Sequence, residues 1–240
     1  MGKRLFARHL FLMGLFFCLA AFPVFAQENE DENPPAQPQK FFDKLTWYIE
    51  GSVLFFPENN GMYSDPMPVL PSLGAGVSYP FTNIFSLDLT LDYYMTHYGY
   101  SYVLDRAVPQ AMENRSSRVI GLLFAIEAAA YFSITPLFSV RVYGGPAADF
   151  RIVLLAAGLN DADLEDASKQ TDSVRKYFWS SGRWFMPVIG TGFDFTVNSR
   201  FAIGIDLRVW MPAYRIWTGE DLPAIEGWRF DPGIRFTIRK

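Results

Sequence analysis

The stretch Phe85-Ser86-Leu87-Asp88-Leu89-Thr90-Leu91-Asp92-Tyr93-Tyr94-Met95 decides the fold class. Its odd positions are apolar or aromatic, and Ser86, Asp88, Thr90 and Asp92 stand between them, which is the period of a strand with two unlike faces. A helix would scatter those carboxylates round its circumference. Which face meets water has to come from the rest of the chain, because a lipid-embedded barrel and a soluble sandwich carry the same stripe with opposite meaning.

Working outward, eight strands are predicted, over 45–56, 70–79, 84–98, 118–132, 137–149, 183–197, 201–212 and 227–240. The connections between them alternate long and short. The long ones are 57–69, 99–117, 150–182 and 213–226; the short ones, 80–83, 133–136 and 198–200, are rich in turn formers. An up-and-down antiparallel barrel predicts this rhythm, with every long loop at one mouth and every tight turn at the other. Within 150–182, residues 151–157 read as a continuation of the fifth strand. Residues 161–177, acidic at the start and basic at the end, carry the charge order of a short helix.

Taking all eight strands together settles the facing. One parity is apolar from end to end: Trp47, Ile49 and Val53; Phe85 through Met95; Phe201, Ile203, Ile205 and Leu207; Ile234, Phe236 and Ile238, among others. The opposite parity holds Glu50, Asp88, Asp92, Glu127, Arg141, Asp194, Asp206, Arg208, Arg229, Asp231 and Arg235, interleaved with Gly74, Gly76, Gly121, Gly190, Gly192 and Gly204. A solvated exterior would be rich in lysine and glutamate, yet Lys240 is the sole lysine in any predicted strand. Glycines alternating with charges of both signs suit a narrow lumen in which each charge must find a partner. Glu127 and Arg141, placed about the 133–136 turn, are expected to form an ion pair across adjacent strands. Aromatic residues gather at strand ends. Trp47, Tyr79, Phe81, Phe85, Tyr131, Phe132, Phe138 and Phe201 lie beside the short turns. Phe55, Tyr93, Tyr98, Trp184, Trp210 and Trp228 lie near the long loops. Both sets fit interfacial girdles.

The segments before the barrel are of other kinds. Lys3, Arg4 and Arg8 precede an apolar run ending near Ala21, and Val24-Phe25-Ala26 offers a small-residue cleavage site, so residues 1–26 read as a signal peptide. The one cysteine, Cys18, lies within it, which leaves no disulfide or thiol chemistry. Residues 27–44, with Glu28, Glu30, Asp31 and Glu32 followed by Pro34, Pro35 and Pro38, form an acidic proline-rich tail. The formal net charge of -4 becomes more negative without the signal, against a nucleic-acid partner. Aromatics at 17% and charged residues at 19% are high and low for a soluble domain, and no later run is apolar for the ~20 residues of a membrane helix.

Residues 45–240 resemble the small eight-stranded outer-membrane barrels of diderm bacteria, the group that includes the outer-membrane protein A transmembrane domain and the outer-membrane protein X and W families. The resemblance is most specific in the last strand. Asp231, Gly233, Phe236 and Ile238 there resemble the signal read by the barrel-insertion machinery, although the chain ends in Arg239-Lys240 and not in an aromatic residue. It implies an all-β, eight-stranded antiparallel up-and-down transmembrane barrel, with outer-membrane lipid and the insertion machinery as partners and both termini in the periplasm.

The residues offer little for catalysis. His97 is the one histidine after the signal, and Ser101 and Asp105 near it complete no evident constellation. One histidine and no cysteine argue against zinc. Asp161, Asp163, Glu165 and Asp166 supply hard oxygens but lack the glycine of a calcium-binding loop. No catalytic residue, cofactor site or metal site is therefore assigned. The expected function is non-enzymatic, serving envelope structure or contact with a host or environmental ligand through four long loops. The protein W resemblance implies a narrow passage for small hydrophobic solutes as the alternative, and a lipid-modifying enzyme ranks third.

Overall fold

The computed structural model describes residues 44–57, 69–109, 117–155, 161–218 and 227–239. The expected signal peptide 1–26 and the expected tail 27–44, Lys44 apart, lie outside the described residues.

Strands β1 (Thr46–Phe55), β2 (Val69–Pro80), β3 (Phe85–Ser101), β5 (Ser117–Thr135), β8 (Val188–Thr196), β9 (Phe201–Trp210) and β10 (Arg229–Ile238) pair antiparallel with their neighbours in chain order. Between β5 and β8 runs an eighth wall strand in two pieces, β6 (Phe138–Gly145) and β7 (Ala147–Leu154). Pairing of β1 with β10, Trp47 opposite Ile238 and Ile49 opposite Phe236, closes the ring. The fold is therefore a closed, eight-stranded, up-and-down antiparallel barrel. Closure removes sheet edges and satisfies every wall strand's backbone from its neighbours, the condition for crossing hydrocarbon with strands.

β6 and β7 share one register on β5, with Gly144 opposite Ala128 and Ala147 opposite Ala125. Pro146 interrupts them because it has no N–H to give, while its carbonyl still accepts from the Ile126 N–H at 3.0 Å. The predicted strand 183–197 begins late, at Val188. Residues before it follow a 3-10 turn (Ser180–Gly182) and run beside β7 through single bonds, Asp149 N–H to Trp184 at 2.7 Å and Met186 N–H to Ala147 at 3.0 Å. Pro187 withholds a donor at the junction.

β3 and β5 rise well past the ten-residue strands. Over the predicted loop 99–117, a short strand β4 (Arg106–Pro109) folds back on β3, with Ser101 opposite Arg106 and Asp105 at positive φ in the turn. Helix α1 (Asp161–Trp179) falls where the charge order placed a helix. It buries Thr171, Val174 and Phe178, a helical spacing, against Tyr98, Ala107, Val119 and Val153. Exposed i,i+4 and i,i+3 pairs, Glu165 with Lys169 and Asp172 with Arg175, line its other side. A second helix, α2 (Arg215–Thr218), follows β9.

The two faces of the wall are opposite in character. Leu73 is 69% exposed, Ile205 64% and Trp47 53%, and the outward side chains of Leu89, Leu91, Phe193, Ile203, Ile234 and Phe236 are exposed with them. No soluble domain presents so continuous an apolar surface; it is the lipid-facing band of a transmembrane barrel. Tyr98 and Trp210 are corrections to the girdle assignment, for both are fully buried. They share the parity of Asp92 and Arg208, so they point inward, Trp210 into an apolar layer with Leu54, Phe56, Leu123 and Met186.

Candidate functional site

The candidate site is the barrel interior. Eleven charged residues were assigned to it from parity, and all eleven are buried. Three guanidinium groups organise the contacts among them.

Arg208, on β9, reaches furthest across the interior. Its Nη2 donates to Glu50 at 2.7 Å, its Nη1 lies 3.4 Å from Asp92, and its Nε lies 3.7 Å from Glu127. Asp231 on β10 is its cross-strand partner. Glu127 also accepts from the Thr90 hydroxyl at 3.1 Å, and Thr90 in turn meets the Tyr48 hydroxyl at 3.1 Å. Nearer the turns, Arg141 pairs with Asp206 and lies 3.7 Å from Asp88. Its guanidinium stacks 4.7 Å from the Tyr143 ring centroid. Arg235 lies 3.5 Å over the Tyr48 ring and 3.9 Å from Asp88, which accepts from the hydroxyls of Ser78 and Ser86. Asp194 sits by the turn-end opening, where it lines a cavity of about 250 Å³ with Tyr131 and Arg235.

The predicted Glu127–Arg141 ion pair does not form. β5 runs on to Thr135 and β6 starts at Phe138, so the turn is shorter and later than the sequence suggested. The register places Arg141 opposite Tyr131, and Glu127 goes to Arg208.

Toward the long loops, Arg229 donates to Asp149 at 2.7 Å, Arg151 pairs with the same carboxylate, and the Tyr94 hydroxyl donates to it at 2.9 Å. Asp149 and Arg151 were missed. Their signal is in the sequence, since Asp149 and Arg151 share the parity of Arg141 along the predicted strand and its continuation.

Glycines make room for this filling. A Cβ on Gly121 would strike the Tyr94 ring, and one on Gly190 the Tyr143 ring. The interior accommodates its tyrosines because the strand opposite each offers only a backbone.

Of the residues that resemble an insertion signal, Phe236 and Ile238 face outward, Asp231 lies in the interior and Gly233 is opposite Ser52 on the closing pair. His97 is 7% exposed and lies opposite Arg118, and β3 continues past it and carries the β4 hairpin. In that hairpin Tyr100 donates to Asp105 at 2.6 Å, which holds its phenol above the ordinary range. Glu165 and Asp166 are exposed on α1, while the side chains of Asp161 and Asp163 lie outside the described residues.

No protein-family model matches the chain, and no curated protein matches it. Solved structures similar to it are small eight-stranded outer-membrane β-barrels. Neisserial surface protein A has 7% identity over 82% of this chain and 97% of its own, with a TM-score of 0.48. The outer membrane protein OprG from Pseudomonas aeruginosa has 11% identity over 81% and 96%, with a TM-score of 0.47. Ail, the attachment invasion locus protein of Yersinia pestis, has 8% identity over 81% and 95%, with a TM-score of 0.42.

Proposed function

We propose that the protein is a non-conducting, non-enzymatic barrel in the outer membrane of a diderm bacterium, serving envelope structure or contact with a host or environmental ligand through its long loops. The observation that carries this reading is the filled interior. Tyr48, Tyr94, Glu127, Arg141, Arg208 and Arg229 are each 2% exposed or less, and eight strands enclose a space just wide enough for side chains. A lumen occupied in this way leaves the exterior and the loops to carry the function.

The start of β1 and the end of β10 meet at the turn end, which supports a reading with both barrel termini in the periplasm and the long loops outside. The barrel-insertion machinery would then receive β10 with Phe236 and Ile238 toward lipid. Purified barrel in planar bilayers is expected to give no openings. Reproducible openings that change with Arg208→Glu would overturn the closed-lumen reading.

Passage of small hydrophobic solutes is the second reading, favoured by the apolar layer of Leu54, Phe56, Leu123, Met186 and Trp210 inside the long-loop mouth. That layer is itself fully packed, so transport would require it to part.

A further inference from the structure

The buried charges of the wall strands do not balance. Among the described residues, eight acidic side chains and five arginines are buried along the strands. The imbalance is steepest around Arg208, where a single guanidinium serves Glu50 at 2.7 Å, Asp92 at 3.4 Å and Glu127 at 3.7 Å, with Asp231 directly across the strand pair. A further pair of carboxylates, Asp88 and Glu127, are cross-strand partners, an arrangement that is destabilising when both are ionised. An ionised carboxylate without a counter-charge is too costly to bury. The surplus must be neutralised by something small.

We infer that the carboxylates around Arg208 form a proton-binding site, which keeps protons at neutral pH. A metal ion fits the geometry poorly. Glu50 Oε1 and Asp92 Oδ1 accept no hydrogen bond, yet they do not face a shared void. Glu50 Oε1 lies over Gly233, and Asp92 Oδ1 lies over Gly74, close enough that a Cβ on either glycine would collide with it. Among the described residues no group of three or more His, Cys, Asp or Glu side chains can hold a metal ion. A proton needs no such space. The groups facing the site are Glu50 and Tyr48 from β1, Asp88, Asp92 and Tyr94 from β3, Glu127 from β5, Arg141 and Tyr143 from β6, Asp206 and Arg208 from β9, and Asp231 and Arg235 from β10. β2 and β8 present Gly74 and Gly190 there.

The folded chain then binds more protons than the unfolded chain, whose carboxylates are ionised at pH 7. Linkage makes stability fall as pH rises above the unfolded carboxylate range, the unfolding equilibrium constant growing about tenfold per pH unit for each proton kept. This inference is independent of whether the lumen conducts, since it is read from proton stoichiometry and not from current.

The test is to refold the barrel from urea into detergent micelles in weakly buffered solution at pH 7 and measure proton exchange. Net uptake is expected, about one to three protons per chain given the charge surplus. Glu50→Gln and Asp92→Asn, which mimic the neutral acids, should fold and lower the uptake. An infrared carbonyl band of protonated carboxyl in wild-type barrel, diminished in Asp92→Asn, is the second readout and requires no variant for its presence. Absence of both uptake and band would overturn the inference. So would neutralisation that follows sodium or potassium concentration in place of pH.

Discussion

At the scale of single residues, Arg208 is the side chain on which the interior most depends. Arg208→Met would strip Glu50, Asp92 and Glu127 of their shared counter-charge. Breaking a buried ionic group by removing one partner costs about 3 to 5 kcal/mol, so urea refolding at pH 7 should show a loss of that order. The loss should shrink as pH is lowered, because protons replace the missing guanidinium. Outside the barrel the decisive position is Leu89, an exposed leucine midway along the Phe85–Met95 stripe. Leu89→Arg should destabilise the barrel in lipid vesicles by about 2 to 4 kcal/mol, the cost of arginine at the bilayer midplane. A neutral effect there would mean that this face does not meet lipid.

At the scale of elements, α1 is held to the barrel chiefly through Val174 and Phe178 against Tyr98, Ala107, Val119 and Val153, with the Thr171 and Ser117 hydroxyls bonded at 2.8 Å and the Arg151 guanidinium 4.1 Å over the Phe178 ring beside them. The exposed pairs Glu165–Lys169 and Asp172–Arg175 on its other side are worth little on their own. Val174→Asp should therefore release the helix to limited proteolysis within 161–179 while the barrel's circular dichroism stays unchanged. Coupled loss of barrel and helix would show instead that α1 is part of the barrel's cooperative unit. The two-piece strand β6–β7 is another element-level feature. Pro146 was visible in the sequence, but its consequence was not, because only the pairing shows that both pieces keep one register on β5.

At the scale of the whole molecule, closure of β1 on β10 makes the barrel one cooperative body, and such a barrel resists detergent until it is heated. Unheated and boiled samples should migrate differently in detergent gels, and identical migration would argue against a closed barrel. The sequence by itself determined the strand count, the alternation of loops and turns, the lipid-facing and inward faces, and the helix within 150–182, because these depend on period and on local turn chemistry. Parity also named the inward charges. Only the tertiary structure decided which charges meet. Glu127 goes to Arg208 and not to Arg141 because a turn two residues shorter and later than expected slides the register, and Arg208 reaches Glu50 and Asp92 across the lumen. Those contacts are set by how a ring of eight tilted strands closes in space, and no pattern along one strand contains that distance.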